Sequence, residues 1–264
     1  MENLLVHVEE GVMHVTFNAP ERRNPLTIEL RAPLRAALRA GAADPAVRCI
    51  VLTGAGGHFM AGGDISVFSR ALEMAPDERR GFFEERIHGL GPVIDQMRDT
   101  PKPIIAKLRG ASAGVGVALA LACDLAYAAE DAFFATAYVH LATAPDGGLS
   151  WLLPRAVGSR KAMELLMLAD RLPAPEALRL GMLNGVVPEG ELDATVDKVA
   201  KRLARAPAQS IAAIKKLVLQ APDVSLERQM SDERRAFSSL SLTKDFAEGV
   251  NAFMEKRRAN FSGE

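Results

Sequence analysis

Two short segments rich in glycine and alanine are the parts of this sequence best suited to bind a ligand through the main chain. In the first, over residues 58–65, Ala61, Gly62 and Gly63 would let a ligand approach the backbone closely. Asp64 is a good N-cap residue, so we expect a helix to begin there, with free N–H groups and partial positive charge at its start. A simple tight turn would have the same composition.

The second segment, over residues 109–118, again combines small residues and leads into an apolar run at 115–122. We expect it also to join a strand to a helix. Neither segment carries the complete dinucleotide fingerprint, and neither ends in the Gly-Lys-Ser/Thr of a nucleotide-binding loop. Two such turns could each donate one N–H to a single oxygen atom. An oxyanion hole of this kind stabilises a transition state by about 3 kcal/mol per donor.

The surrounding pattern predicts the elements that would position these turns. Alternating apolar residues over 4–17 predict a β-hairpin, and Thr27 is expected to cap a helix that ends at Asp44-Pro45. The remaining elements of this half are short strands and helices, which alternate as in an α/β fold. We expect strands at 49–53, 103–108, 125–128 and 132–135, a polar helix at 77–97 and an apolar helical segment at 115–122.

After about Leu149 the pattern becomes helical. Helices are expected at 160–168, 174–180, 192–203, 210–219, 226–240 and 245–257. We divide the chain into a core over residues 1–200, which would carry the site, and a C-terminal helical region over 201–264. Helices in such a position commonly pack on a core or on a neighbouring subunit.

Composition sets limits on function. The formal net charge of −1 gives no general attraction for nucleic acid. The stretch Met1 to Glu10 lacks the basic start and apolar run of a secretory signal, and the apolar run at 115–122 is too short to cross a bilayer, so we expect a cytoplasmic protein. Cys49 and Cys123 lie in apolar runs and are expected to be buried thiols, and no spacing of cysteine and histidine suggests a metal site.

Both glycine turns, with the motifs around them, resemble the enoyl-CoA hydratase/isomerase family, also called the crotonase family. The resemblance covers nearly the whole chain and is much more specific for the family than for the reaction. The motifs that carry it are Pro20-Glu21-Arg22-Arg23-Asn24, Phe59-Met60-Ala61-Gly62-Gly63-Asp64-Ile65, Ala122-Cys123-Asp124-Leu125, Pro145-Asp146-Gly147-Gly148, Leu153-Pro154-Arg155-Ala156-Val157-Gly158 and Phe253-Met254-Glu255-Lys256-Arg257.

The resemblance implies an α/β fold, a crotonase-like spiral of β-β-α turns with a C-terminal helical region, assembled as a homotrimer or as a hexamer. The substrate would be an acyl-CoA, with coenzyme A as part of the substrate and no separate cofactor. By position, Gly63 and Val115 would hold the thioester oxygen through their N–H groups. The other residues expected to bind substrate are Ala61, Gly62, Asp64, Ile65, Gly114 and Tyr138, with Arg22, Arg23, Phe253 and Lys256 on the coenzyme A portion. Solvated surface charge would explain the basic residues among them equally well.

The sequence departs from the hydratase pattern of that family. Hydratases use two glutamates to position and activate water, and the corresponding positions here hold Ala118 and Tyr138. Adding water requires a base for the water and an acid for the α-carbon, so the loss of both carboxylates argues against ordinary hydration.

One carboxylate, Asp146, falls where relatives that move the double bond of enoyl-CoA, or isomerise the ring-epoxide of phenylacetyl-CoA, carry their base. It would take a proton from C2 of a 3-enoyl thioester and return it at C4. We expect Leu141, Leu149 and Trp151 to form an apolar setting that raises the pKa of Asp146. On local sequence alone, Pro-Asp-Gly also fits an ordinary turn.

Other side chains and other reactions stay open at this point. Tyr138 and His140 could act as acids, and Glu84 and His88 would share a helix face beside Glu85, although packing and solvation also explain them. Hydration with a different acid, thioester hydrolysis and aromatic dehalogenation all occur on this scaffold. A non-catalytic member that binds acyl-CoA, a partner protein or RNA is the alternative from another class. The near-neutral charge argues against RNA, and the retained turns argue against an inactive site.

Overall fold

The computed structural model describes residues 3–264, so the first two residues of the stretch Met1 to Glu10 lie outside the described residues. Within that range the chain forms an α/β fold, as the alternating pattern predicts. Its strands are β1 (Leu4–Glu9), β2 (Val12–Phe17), β3 (Cys49–Gly54), β4 (Ile104–Leu108), β5 (Ala111–Ala113), β6 (Leu125–Ala129), β7 (Phe133–Ala135), β8 (Leu172–Pro173) and β9 (Gly185–Val187).

The strands form two sheets. The larger has the order β1-β2-β3-β4-β6-β9, in which β1 and β2 form the expected hairpin and the other neighbours run parallel. The smaller sheet has the order β5-β7-β8. It contains a strand, β5, that the sequence pattern presents only as part of a glycine turn.

The α-helices before residue 160 bring the site together. They are α1 (Ile28–Ala43), α2 (Ile65–Ala71), α3 (Pro76–His88), α4 (Gly91–Asp99), α5 (Val115–Ala122), α6 (Leu149–Val157) and α7, which begins at Ser159 and ends at Leu168. The single helix expected over 77–97 is wrong, because α3 and α4 are separate helices. Pro92 in the first turn of α4 has no N–H to bond back and its ring would clash with the preceding turn, so a helix must begin there.

The helices that follow α7 lie close to the predicted ranges. They are α8 (Ala174–Arg179), α9 (Leu192–Ala204), α10 (Ala208–Gln220), α11 (Leu226–Leu240) and α12 (Lys244–Met254). The last helix is shorter than expected: it ends at Met254, and Lys256 adopts a left-handed conformation (φ 54°) beyond it. That conformation stops a helix, so Lys256 is not a helical residue.

The large sheet is buried on both faces at its central strands β3 and β4, whereas the edge strand β1 is mostly exposed. Side chains alternate along β3, so that Ile50 and Leu52 join the main core while Cys49 and Val51 face a smaller cluster under α9. Cys49 is a buried free thiol as expected, and desolvation raises its pKa to about 12. Cys123 is also a free thiol, only partly exposed, and burial raises its pKa as well.

A buried ion pair joins the C-terminal helices to the core. The Nζ atom of Lys215, on α10, lies 2.9 Å from Oδ2 of Asp124 and also donates to the carbonyls of Met97 (2.9 Å) and Lys102 (3.3 Å). The same carboxylate oxygen accepts the N–H of Ile104 at 2.7 Å. Asp124 therefore anchors the start of β4. Over residues 3–264, none of the helices has the length and apolar character to cross a membrane.

Candidate active site

The two glycine turns lie against each other because β5 pairs with the first of them. The N–H of Met60 donates to the carbonyl of Ala111 (3.1 Å), and the N–H of Ala113 donates to the carbonyl of Met60 (2.8 Å). These bonds form a parallel bridge between Met60 and Ser112. Gly63 and Val115 each lie three positions beyond the bridge, so the parallel register brings both into one region.

The backbone at this junction requires glycine. Gly62 has a backbone conformation that favours glycine (φ 96°), and a Cβ there would lie only 3.0 Å from the carbonyl oxygen of Ala113, a very tight contact. Gly114 favours glycine for a different reason, its left-handed backbone (φ 51°), since a Cβ there would lie at an ordinary contact distance of 3.7 Å from the Cα of Gly62. The two turns are therefore packed backbone against backbone.

Both candidate oxyanion donors are unpaired within residues 3–264: neither the N–H of Gly63 nor that of Val115 has a hydrogen-bond acceptor there. Val115 is the first residue of α5, where N–H groups have no partner within the helix and the helix end carries partial positive charge. Both residues line the same cavity, of about 400 Å³. The arrangement can thus accept an oxygen that gains negative charge.

A side chain fixes the first turn in place. Asn24 is buried, and its amide nitrogen donates to the carbonyls of Ala55 (2.9 Å) and His58 (2.8 Å). Its Oδ1 accepts the N–H of Ala19 at 2.9 Å. Asn24 lies within a motif of the family resemblance, yet the sequence alone assigns it no role. A buried asparagine satisfied by main-chain groups on two loops is a positioning residue for the turn.

Asp146 lines the same cavity and is held by one short hydrogen bond. The phenol of Tyr138 donates to Oδ1 of Asp146 at 2.7 Å. Desolvation raises the pKa of Asp146, and the opposing effects of the Tyr138 hydrogen bond and the charge of Arg31 are smaller. Burial and the adjacent carboxylate raise the pKa of Tyr138, so its phenol stays protonated and acts as a donor. Tyr138 therefore has a role beyond packing, as the hydrogen-bond donor to Asp146.

The loop that carries Asp146 packs on the helix of the second turn. A Cβ built on Gly147 would lie 3.0 Å from Cγ2 of Val115 and 3.3 Å from Cβ of Ala118. Ala118 is fully buried beneath this loop, so a hydratase glutamate position is filled by a methyl group without a titratable proton. Asp146 is the carboxylate that lines the cavity among the described residues.

Only part of the expected apolar setting of Asp146 is found. Leu141 lines the cavity and Leu149 is fully buried in the core. Trp151 does not line the cavity: the guanidinium carbons of Arg155 and Arg98 lie 3.6 Å and 4.5 Å from its ring centroid. The apolar wall is formed instead by side chains of α2 and α3 that sequence reasoning missed, namely Phe68, Phe83 and Ile87. The rings of Phe68 and Phe83 meet edge to face at 5.0 Å.

The charged candidate residues on α3 lie outside the cavity. Glu84, Glu85 and His88 are exposed and do not line the cavity, and Glu84 lies 3.8 Å from Arg80. The same helix presents Phe83 and Ile87 to the cavity, one position earlier than Glu84 and His88. His140 is also exposed and outside the cavity lining.

The predicted binding residues divide into two groups. The structure brings one group together around the cavity: Ala61, Gly62, Gly63, Ile65, Gly114, Val115, Tyr138 and Asp146. Asp64 is not in the lining, because its carboxylate caps α2 by accepting the N–H (3.0 Å) and hydroxyl (2.7 Å) of Ser66. It does so as the sequence predicts for an N-cap.

The residues expected to contact coenzyme A do not line the cavity. Arg22 lies 3.7 Å from Asp64, and Arg23 contributes its carbonyl, which accepts the N–H of Ala61 at 2.8 Å. Phe253 is 82% exposed and lines a separate apolar groove beside Phe246. Lys256 lies just past α12. The contact of these four residues with coenzyme A stays a prediction.

Comparison with known proteins gives a consistent result. The family model described as enoyl-CoA hydratase/isomerase matches residues 7–264. The 1,2-epoxyphenylacetyl-CoA isomerase of Escherichia coli (strain K12) is 37% identical over all of this chain and 99% of its own, and the crotonyl-CoA hydratase of Syntrophomonas wolfei is 34% identical over 98% of each chain.

A solved enoyl-CoA hydratase from Polaromonas sp. JS666 superposes with a TM-score of 0.92 at 34% identity, covering 98% of this chain and 99% of that one. The expected crotonase-like fold is therefore confirmed. The chain belongs to the enoyl-CoA hydratase/isomerase family of acyl-CoA enzymes.

Proposed function

We propose that this enzyme isomerises the double bond of an enoyl-CoA, with Asp146 as the base. The N–H groups of Gly63 and Val115 hold the thioester oxygen, which makes the C2 protons of a 3-enoyl-CoA more acidic. The Asp146 carboxylate takes one C2 proton, and the electron pair forms a dienolate. Protonation at C4 by the same carboxyl group then leaves the double bond between C2 and C3. No cofactor is consumed, and coenzyme A enters and leaves as part of the substrate.

The observation that carries this proposal is the single carboxylate in a cavity that also holds two unpaired N–H groups. One carboxylate that gains and then loses the same proton is sufficient for isomerisation, whereas hydration also has to activate water. The raised pKa of Asp146 suits both halves of the cycle, because a base of very low pKa would be too weak to take the proton.

A second candidate is isomerisation of a ring-containing acyl-CoA. The edge-to-face wall of Phe68 and Phe83 favours it, since such rings offer a flat apolar surface for another ring. The relative from Escherichia coli is named for a reaction on 1,2-epoxyphenylacetyl-CoA. The same oxyanion donors and the same base would serve this substrate.

The experiment is to incubate the enzyme with a 3-enoyl-CoA and, separately, with a 2-enoyl-CoA, following the absorbance of the conjugated thioester. We expect conjugation to appear from the 3-enoyl substrate and Asp146→Asn to slow it by at least about a hundredfold. Asp131→Asn changes an exposed aspartate away from the cavity and serves as the matched control.

Each other outcome points to a different reaction. Loss of conjugation from 2-enoyl-CoA, without reaction of 3-enoyl-CoA, would mean hydration and contradict the proposal. Turnover of only 1,2-epoxyphenylacetyl-CoA would favour the second candidate. Equal rates for wild type and Asp146→Asn on any of these substrates would exclude Asp146 as the base.

The assembly also belongs to this proposal. Phe253 and Lys256 do not line the cavity of their own chain, and we propose that they contact coenzyme A bound to a neighbouring copy. We expect a homotrimer or a hexamer, and light scattering on the purified protein checks this. A monomer that is fully active would contradict a role of these residues across subunits.

A further inference from the structure

His58 is the first residue of the first glycine turn, and its side chain contacts the second turn. The ring is half-buried, and its Nδ1 atom accepts the N–H of Ala111 at 3.0 Å. Ala111 is the first residue of β5 and is buried, so its N–H needs an acceptor inside the protein. Because Nδ1 accepts this bond, the neutral ring carries its proton on Nε2. A side chain therefore joins the two turns.

This bond continues the pairing of the turns at a point where the main chain has another partner. The bridge between Met60 and Ser112 uses main-chain groups alone. Two residues earlier on each segment, a regular parallel ladder would direct the N–H of Ala111 to the carbonyl of His58. That carbonyl instead accepts the amide of Asn24 at 2.8 Å. The ring nitrogen of His58 takes its place as the acceptor, so the pairing of the turns extends to Ala111.

The ring of His58 lies directly against the backbone of Gly110. Gly110 has a left-handed backbone (φ 48°), and a Cβ there would clash with Nδ1 of His58 and with the carbonyl oxygen of Gly57. The position therefore requires glycine. The carbonyl of Gly110 accepts the N–H of Phe133 at 2.9 Å, which bonds the same segment to β7. The start of the second turn is thus held both by the His58 ring and by β7.

The pairing that His58 extends sets the distance between the two candidate oxyanion donors. Gly63 and Val115 belong to different turns and lie a few residues beyond the paired stretch, so their separation depends on how the turns are paired. An oxyanion hole requires both donors to meet one oxygen at hydrogen-bond distance. A displacement of about 1 Å at such a site can cost about a hundredfold in rate.

We infer that His58 is a positioning residue for the oxyanion hole, and that its Nδ1 atom fixes the second turn against the first. The inference rests on the proposed function, in which Gly63 and Val115 hold the thioester oxygen. It gives His58 no contact with substrate, because His58 does not line the cavity. The acceptor at Nδ1, and not the bulk of the ring, is the property that matters.

Two substitutions separate the acceptor from the bulk of the ring. His58→Asn places Oδ1 at the same number of bonds from the backbone as Nδ1, so it can accept the N–H of Ala111. His58→Leu fills much of the same space without an acceptor. His7→Leu removes an exposed histidine of β1 that does not line the cavity, and it is the matched control.

The first measurement is the turnover of the 3-enoyl-CoA. We expect His58→Leu to lower kcat by about tenfold to a hundredfold with little change in KM, because the donors act mainly on the transition state. His58→Asn and His7→Leu should stay close to wild type. An equal loss of kcat in His58→Asn and His58→Leu would contradict the role of the acceptor.

A second readout does not depend on turnover. Butyryl-CoA has no double bond to move, and with an isotope label at its thioester carbonyl carbon, infrared spectroscopy reports how strongly the bound C=O group is polarised. We expect binding to wild type to lower the C=O stretching frequency. His58→Leu should lose most of this shift, and His58→Asn should keep it.

The outcomes separate the inference from the proposed function. The expected C=O shifts without turnover of 3-enoyl-CoA would support the role of His58 and mean that only the isomerisation fails. An equal shift in wild type and His58→Leu would overturn the inference, and a lower thermal midpoint in that variant would then show a purely structural role. No shift in wild type would exclude the oxyanion hole and the inference together.

Discussion

Two aspartates of this chain, Asp124 and Asp146, are largely shielded from water in different ways. Desolvation raises the pKa of both Asp124 and Asp146. Asp124 is paired with Lys215, whose ammonium donates to three acceptors and whose side chain is only 6% exposed. Asp146 forms no ion pair within the described residues and accepts its side-chain hydrogen bond from a neutral phenol.

This difference suits one aspartate to a structural role and the other to catalysis. A proton added to Asp124 would break a buried ion pair and leave an uncompensated ammonium, so this carboxylate is suited to hold α10 against the core. A proton added to Asp146 breaks no ion pair, so it leaves no unpaired cation beside the carboxyl group. That carboxyl group also lines a cavity large enough for an acyl group. The following predictions test this division, beginning with the largest effect.

Removing the lysine of the pair should cost stability and leave the chemistry intact. For Lys215→Met we expect the free energy of unfolding to fall by about 3–5 kcal/mol, because Asp124 then remains buried without its partner. Lys216→Met, at the exposed neighbouring position, is the control and should change little. Urea denaturation gives the stability, and turnover per folded molecule gives the activity. A stable variant that has lost activity would reverse the roles assigned to the two aspartates.

Removing the phenol that donates to Asp146 should lower activity and leave stability largely intact. Tyr138→Phe deletes the donor to the carboxylate, and a hydrogen bond to a charged group is worth about 1.5–3 kcal/mol, so we expect kcat/KM near neutral pH to fall by about tenfold to a hundredfold. The pKa of Asp146 should also rise, which moves the acid limb of the profile to higher pH. Tyr127→Phe, on β6, is the matched control. An acid limb at the same pH in Tyr138→Phe and wild type would show that the phenol does not act on the base.

The smallest expected effect is a gain in stability. The folded-state pKa of Asp146 lies above its unfolded value, so the carboxyl group lowers stability as pH rises from the ordinary aspartate range through the raised pKa. Asp146→Asn keeps an acceptor for the Tyr138 phenol and removes this cost. The variant should therefore be more stable than wild type at pH 7, with a difference that shrinks toward pH 3. Urea unfolding at several pH values checks this, and a difference that does not vary with pH would count against it.

Much of the site could be predicted from sequence because its signals are local. Gly62 and Gly114 indicate that the backbones of the two turns lie close together, and Asp146 lies in a motif whose family position suggests a base. The strands that carry these turns are short apolar runs bounded by turn residues, which is also a local signal. The register between Met60 and Ser112 that aligns the two turns comes from tertiary pairing and has no counterpart in the sequence.

The residues that were missed are brought to the cavity by packing. Phe83 and Ile87 lie on a helix whose composition is polar, so no apolar face predicts their contact with substrate. His58 gave a partial signal, because it begins the first glycine turn, but no local pattern shows that its ring reaches Ala111. Asn24 gave a weaker signal, because asparagine is also common in exposed turns.

In the proposed reaction, Asp146 is the group whose ionisation controls the rate. The most direct test compares two quantities on the same protein: the pKa of the Asp146 carboxyl group from an NMR titration of the free enzyme, and the acid limb of kcat/KM for its acyl-CoA substrate. We predict that they coincide, at a pH above the ordinary aspartate value of about 3.9. An acid limb well separated from the titration of Asp146 would contradict the proposed role of Asp146 and assign the base to another group.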